Sequence, residues 1–527
     1  MTPARPWVGI LTVGIAAGID TVAAAQTEVH HHFRFDIGAE AATVTTTFRG
    51  CRGGQLKVAM PRFVARASRP LSLDSIHDKL VVTSSTGARA TRSSGAWTVD
   101  TSGETTVVLT HETPLTGRQV QSGLGQRQSH TFEVAGESKV IRYYQGYSLR
   151  AATTWLFAPA NAGTPQRITF QLPAGFKVAS TLSRSADGSY RTPDFATLAD
   201  SPFHIGTSRV LEFQAAGRKY RVHLTGFERD RTDLVLFQSQ LKKIAYSQAH
   251  SLGPNGQESY VYLVGRRTTT PSTIGHRNGA EILTHSLRSS NAQLLNISRA
   301  HLWSWMYPLQ ATNLQQPTAG PESWFFQGVT EYLAEISLVR AGFTDPKKYW
   351  TAHISAHINK LQRDPRRLTV SVTDAGTHLQ RRGPKKSPLG PDPKTKGLLI
   401  GLLLDIEIRS RSLNTRSLDG AIQAMVKRRV PVTNRKIADA CAETLGKPLE
   451  KFFAAFVHGT GELPLQTSLA RVGIIAQAVS ATLPKKGNPR MPKPNRRRPP
   501  RWQVRLAEKP SESAVGTQTR MTQVVAK

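Results

Sequence analysis

From Gln26 to about Pro202 apolar and polar positions alternate in short runs, such as Val44-Thr45-Thr46-Thr47-Phe48 and Thr106-Val107-Val108-Leu109, separated by Gly, Pro and Asp. A period of two puts successive side chains on opposite faces of a strand, so residues 26–202 are expected to fold as a β-sandwich of antiparallel strands. Past about Gly206 the period lengthens. Phe325, Val329, Tyr332, Ile336 and Val339 recur at steps of four and three, the pattern of an amphipathic helix with one buried face. Leu398 to Leu404 is apolar all round apart from Gly401, which predicts a helix enclosed within a helical domain, and helical patterning resumes through Ile437 to Phe456. Between Lys360 and Lys396 ten Lys or Arg stand against three Asp among five prolines, which predicts an exposed basic loop region. After about Leu465 the Pro-rich run from Pro484 to Pro500, with Arg496-Arg497-Arg498, is too poor in apolar residues for a core and is expected to be disordered. No internal repeat is visible.

The chain is long enough, at 527 residues, for several domains. Its 69 basic residues outnumber 36 acidic ones, and the last 44 residues alone carry 12 basic against two acidic. Such charge permits nucleic-acid binding, but the basic runs lack interleaved aromatics, Trp502 being alone in the tail, so no nucleic acid is expected. Cys51 and Cys441 are too few for a disulfide framework or a cysteine zinc site, which leaves two buried thiols or one long-range bridge. At the N-terminus Arg5 precedes an apolar stretch from Trp7 to Gly18 and then Ala23-Ala24-Ala25, which reads as a signal peptide over 1–25 cleaved before Gln26. The stretch is well short of the roughly 20 residues that span a bilayer, so a periplasmic or secreted protein is expected.

Three stretches, taken in order, resemble a known family. They are Thr273-Ile274-Gly275-His276-Arg277-Asn278 after the strand-like Tyr260 to Val264, then Ser298 to Trp305, then Trp324 to Tyr332. They are similar to the Gly-Leu-Glu-His, His-Glu-Phe-Phe-His-x-Trp and Trp-x-x-Glu-Gly-Phe-Thr-x-Tyr motifs of the glycyl aminopeptidase family of gluzincin metallopeptidases. Flanking stretches around Asp200, Lys396-Gly397 and Leu418-Asp419 support the resemblance, which runs from about Val29 to Leu465. It implies a multidomain α+β protein: the β-sandwich, a thermolysin-like α/β domain over 203–375, a helical domain over 376–465, and the basic tail over 466–527. Members carry a PDZ domain after the helical domain, of which only Ser468 to Val479 resembles the start.

The family's chemistry needs two histidines one helical turn apart on zinc, a glutamate beside the first as general base, and a distal glutamate as third ligand. With Trp305 fixing the register, Arg299 and Trp303 fall at the histidine positions, Ala300 at the general base and Gln327 at the third ligand. The glutamate that would recognise a substrate amino terminus falls on Gly275, and the tyrosine before Lys-Gly is lost within Pro393-Lys394. A guanidinium has no lone pair to donate, an indole is no ligand, and a neutral amide is a weak one. No metal is expected at this site and no cofactor in this chain, although active relatives use zinc.

Other candidates are weaker. His353 and His357 share a helix face, but Ile354 stands where a general base would follow. Glu322 precedes Trp324 and so falls outside the ligand helix, and His30-His31-His32 alternates faces and reads as a solvated terminus. There is no Gly-x-Ser-x-Gly elbow or Walker loop, and Ser239-Gln240-Leu241-Lys242 lacks the companions of a Ser-x-x-Lys nucleophile. The reading is a secreted or periplasmic pseudopeptidase, with His276, Asn278, Trp305, Trp324 and Tyr332 either holding the scaffold or lining a vestigial peptide-binding cleft. Anionic envelope polymers or lipids are candidate partners of the basic tail, the alternative being a solvated tail that only aids solubility. The alternative is an active metallo-aminopeptidase that releases N-terminal glycine or alanine through a noncanonical site.

Overall fold

The computed structural model describes residues 28–36, 41–51, 54–59, 61, 83–84, 90–93, 96–101, 106–114, 128–132, 144–150, 154–227, 231–266, 271–310, 320–382, 390–479 and 501–523. The expected leader over 1–25 falls outside these residues, as does the basic run over 484–500. Among the described residues no helix is long and apolar enough to cross a membrane.

The alternating N-terminal half folds into a six-stranded, a four-stranded and a three-stranded sheet. Their inward side chains, including Phe33, Val44, Val58, Trp97, Leu109, Trp155 and Phe203, form one core. Strand Val29–Arg34 is not a solvated terminus. It is inserted between Ala41–Arg49 and Gln166–Gln171. His30 and His32 share Thr169 Oγ1, at 2.8 and 2.9 Å, on one face. His31 points into the core, where Nε2 donates to Gln166 Oε1 at 3.0 Å and Nδ1 accepts from Thr46 at 3.1 Å. Burial pushes the His31 imidazole down to about 4. The unfolded chain therefore binds a proton there at mildly acid pH that the folded chain excludes. Stability from this residue is complete above about pH 6.5 and is lost as the pH falls from about 6.5 toward about 4, amounting to about 3 kcal/mol for a shift of this size. Urea midpoints across that range are expected to fall for the native protein and to fall less for His31→Gln; equal slopes would refute the assignment.

Strand Pro202–Gly206 still belongs to the N-terminal domain, paired with Lys177–Ser180 and Tyr144–Arg150. The next unit is a mixed five-stranded sheet in the order Arg209–Ala215, Arg218–Thr225, Ser259–Arg266, Gly279–Thr284, Ser272–His276. Its three central strands are parallel, and helix Arg231–Leu252 makes the crossover between the first two of them. This helix and helix Asn291–Met306 cover one face, over a core that includes Tyr220, Tyr260, Tyr262, Ile282, Ile297 and Ala300. The other face meets the N-terminal domain, where buried His204 and Glu281 pair at 3.1 Å.

The rest is helical. Trp324–Val329 is a turn of π-helix running into helix Thr330–Arg340, and every residue of the latter is buried. The expected amphipathic helix is thus central: its charged side chains are enclosed because each meets a partner from another element, Glu331 with Arg299, Glu335 with His357 and Arg340 with Asp419. Helix Pro393–Arg411 crosses it closely. A Cβ at Gly328 would lie 2.5 Å from Gly397, and one at Gly397 would lie 2.2 Å from the Trp324 carbonyl oxygen, so only glycines permit this crossing. Within the expected basic loop over 360–396, helix Ser355–Gln362 ends and helix Val372–Arg382 runs, and residues 383–389 fall outside the described residues.

The tail also departs from expectation. Strands Ile474–Val479 and Arg501–Leu506 pair antiparallel, and helix Glu512–Thr522 follows. Sparse apolar residues suffice because they join an existing core: Ile474, Ala476, Val504 and Met521 pack into the main helical cluster. Asn359 also accepts from Trp502 N at 2.8 Å. Cys51 and Cys441 are both free, and burial pushes the Cys441 thiol up to about 12.

Candidate functional site

Arg299 and Trp303 lie one turn apart on helix Asn291–Met306, whose N-cap Ser290 accepts from Gln293 N. Trp303 turns into the core, 4% exposed, with its ring edge-on to Tyr307. Arg299 stays at the rim. Its Nε and Nη2 donate to the two carboxylate oxygens of Glu331, and its Nη1 donates to Asn296 Oδ1 at 2.6 Å. Glu331, only 4% exposed, also pairs with Lys394 Nζ at 3.3 Å. One buried carboxylate thus ties together three helices, those carrying Arg299, Glu331 and Lys394. The residue that Arg299 meets is Glu331, one turn beyond Gln327. Gln327 itself is half-buried on the π-helical turn.

Gly275 and Ala300 are packed against each other. A Cβ at Gly275 would lie 2.1 Å from the Ala300 carbonyl oxygen and 2.7 Å from its Cα, so the helix backbone occupies the space a side chain there would need. The same carbonyl accepts from Tyr260 OH at 3.2 Å. The two positions assigned to the substrate-recognising and base glutamates have become a helix–strand contact.

Arg299 presents only N–H groups, Trp303 offers no lone pair, Ala300 has no basic atom, and the nearby Glu331 is engaged by two cations. A dication would be repelled by Arg299 and Lys394 alike. Among the described residues no group of three or more His, Cys, Asp or Glu is placed to hold a metal. The residues present do not fit zinc.

Three of the five residues considered for a cleft are held from within by their side chains. Trp305 and Trp324 are buried, donating to Gly253 O at 2.9 Å and Asn434 Oδ1 at 2.8 Å. Tyr332 is buried and donates to Asp405 Oδ2 at 2.7 Å. His276 Nδ1 pairs with Asp200 Oδ1 at 3.3 Å, Arg277 N donates to Asp200 Oδ2 at 2.8 Å, and Asn278 O accepts from Val261 N at 3.0 Å. This segment fastens the sheet edge to the N-terminal domain. Trp305, Trp324 and Tyr332 are thus anchored in the core by their side chains, whereas His276 Nε2 and Asn278 Oδ1 are buried with no partner among the described residues.

The decoys are placed as well. His357 Nε2 pairs with Glu335 Oε1 at 2.8 Å, and Glu322 Oε1 accepts from Asn434 N at 3.3 Å. Two residues were not legible as part of this site. Glu331 falls on an unassigned motif position, where its carboxylate, four residues past Gln327, is the only signal. His301, beside Ala300, is fully buried: Nδ1 donates to Gln248 Oε1 at 2.6 Å and Nε2 accepts from Tyr220 OH at 3.2 Å. Burial, then Arg218, holds it well below the usual imidazole range. With both nitrogens engaged it is a packing residue.

Residues 300–392 match the family model described as M61 glycyl aminopeptidase, and residues 94–207 match that of the Peptidase M61 N-terminal domain. Among solved structures the chain is similar to an aminopeptidase N family protein from Idiomarina loihiensis, with a TM-score of 0.71 and 17% identity over 86% of this chain and 79% of that one. It is also similar to a mutant M1 zinc metallopeptidase from Deinococcus radiodurans bound to a Tyr-Ser-Ala substrate, with a TM-score of 0.48 and 12% identity over 83% of this chain and 94% of that one. The first likeness speaks to the fold alone. No curated protein matches the chain.

Proposed function

We propose that the chain, which matches the M61 glycyl aminopeptidase models over residues 94–207 and 300–392, is a non-hydrolysing member of that family, a pseudopeptidase exported to the periplasm or beyond. The observation that carries this reading is Arg299 at the first ligand position, locked onto Glu331 with Lys394 as second cation. Hydrolysis in this family rests on a metal-bound water and a carboxylate base to deprotonate it. Here a permanent cation and an alanine stand in those places, and the ion pair has become a clasp between helices. The retained fold then serves binding or structure.

Export rests on the N-terminal pattern, and attachment to anionic envelope polymers or lipids rests on the basic run over 484–500. Each basic residue near an anionic surface contributes about 1 kcal/mol at most, screened beyond roughly 8 Å at physiological salt. The exported chain is expected to begin at Gln26, to leave glycyl and alanyl substrates intact with zinc supplied, and to sediment with anionic vesicles less as salt rises. Intact mass, a peptidase assay and co-sedimentation check the three. Turnover of a glycyl substrate that is lost on Gln327→Ala would instead establish the noncanonical aminopeptidase.

A further inference from the structure

The reverse face of the five-stranded sheet, turned away from the Arg299 helix, is only partly covered by the N-terminal domain. Where the cover ends there is a cleft of about 800 Å³, walled by the segment after strand Lys177–Ser180 on one side and by strands Arg209–Ala215, Arg218–Thr225 and Ser259–Arg266 on the other. This volume lies within the range of small-molecule sites. The cleft shares no residue with the Arg299 cluster.

Its charge is one-sided. Arg184, Lys219 and Arg221 line it, against Glu212 as the one carboxylate. The strand Arg218–Thr225 buries Tyr220, Val222 and Leu224 under the helices, so Lys219, Arg221 and His223 project together from the opposite face. At a rise of about 3.4 Å per residue, Lys219 and Arg221 stand about 7 Å apart along the strand. Glu212, the cross-strand partner of Arg221, accepts from its Nε at 2.9 Å and leaves the rest of the guanidinium uncompensated. Such an exposed pair is weak and yields readily to a better-placed anion. Across the cleft Arg184 is steadied by donating Nε to Gly188 O at 3.1 Å.

His223 completes the site. Its Nδ1 is buried and meets no protein partner among the described residues, although it lines an open cleft. Burial, then Arg221 and His204, holds the ring neutral by pushing it down to about 4. A neutral imidazole beside two cations offers a hydrogen bond without asking for a second charge. A buried nitrogen left unsatisfied costs free energy, which is recovered when the ring turns Nδ1 toward a ligand oxygen in the cleft.

We propose that this cleft binds a small multivalent oxyanion, a di- or tricarboxylate or a phosphorylated small molecule, with two charged groups about 7 Å apart on Lys219 and Arg221 and a third contact at His223 or Arg184. Because both domains wall the cleft, the ligand braces one against the other.

Calorimetric titration of the full chain with citrate and with fructose 1,6-bisphosphate tests this and separates carboxylate from phosphate preference. At least one probe is expected to bind with a dissociation constant below about 1 mM, and Lys219→Gln/Arg221→Gln is expected to weaken it at least roughly tenfold. General attraction to a basic protein is controlled by Arg435→Gln/Lys447→Gln on the distant helical domain, which removes the same charge and is expected to leave affinity unchanged. The ring resonances of His223 are expected to shift on binding in the native chain. No binding of either probe, or equal weakening by the two double variants, would overturn the proposal. A strand variant that loses its circular dichroism signal is replaced by Lys219→Arg/Arg221→Lys, which keeps the charge and is expected to retain binding.

Discussion

Asp405→Ala is expected to destabilise the protein by about 3–5 kcal/mol, the scale for removing one partner from a buried, hydrogen-bonded charge cluster. Asp405 is 1% exposed on helix Pro393–Arg411. It accepts from Arg409 Nε at 3.1 and 3.0 Å, from Tyr332 OH at 2.7 Å and from Leu418 N at 2.8 Å. Asp419 bridges Arg409 at 3.5 Å and Arg340 at 3.0 Å, so two guanidiniums share two carboxylates inside the helical core. Without Asp405 the two arginines would depend on Asp419 alone, in a place that water does not reach. Burial works against the charged carboxylate, but Arg409, the Leu418 amide and Tyr332 hold Asp405 below the usual carboxylate range. A depressed carboxylate contributes stability that is present above its unfolded value of about 3.9 and lost as the pH falls below it. Urea denaturation of Asp405→Ala and Asp405→Asn at neutral pH checks the magnitude, with the isosteric amide expected to cost less. A midpoint unchanged in both would show that the cluster is dispensable.

Arg299→Ala is expected to cost about 2–3 kcal/mol, less than Asp405→Ala because Arg299 is partly exposed and Lys394 remains on Glu331. The informative variant is the double one. If Arg299 is present to satisfy Glu331, then Glu331→Gln in the Arg299→Ala background should restore part of the lost stability, with a coupling of about 1–3 kcal/mol. Simple additivity would mean that the clasp is a surface contact of no consequence, and would remove the physical reason for an arginine at this position.

The motif order along the chain assigns Gly275, Arg299, Ala300, Trp303 and Gln327 because departures from a motif are visible one residue at a time. What each of these residues meets in the fold is not visible in that way. The Arg299–Glu331 pair joins residues 32 apart, and the Gly275–Ala300 contact depends on how closely a helix approaches a strand. Helix Thr330–Arg340 illustrates the same limit. Its apolar positions announce a helix, but Glu331, Glu335 and Arg340 read as a solvated face until their partners Arg299, His357 and Asp419 are brought in by other elements. The tail misled for a related reason. Composition measures whether a segment can build a core, whereas Ile474, Val504 and Met521 needed only to join one already built. His31 was lost in a run of three because alternation shows which side chains share a face, and only pairing with Gln166–Gln171 shows which face is inside.

The most direct test is the zinc content of the purified chain after incubation with zinc and gel filtration. Zinc far below one ion per chain, unchanged by Gln327→Ala, is expected, since Arg299, Ala300 and Trp303 offer no anionic or imidazole ligand and the Glu331 carboxylate is engaged by Arg299 and Lys394. About one zinc per chain, released on changing Gln327, would contradict it.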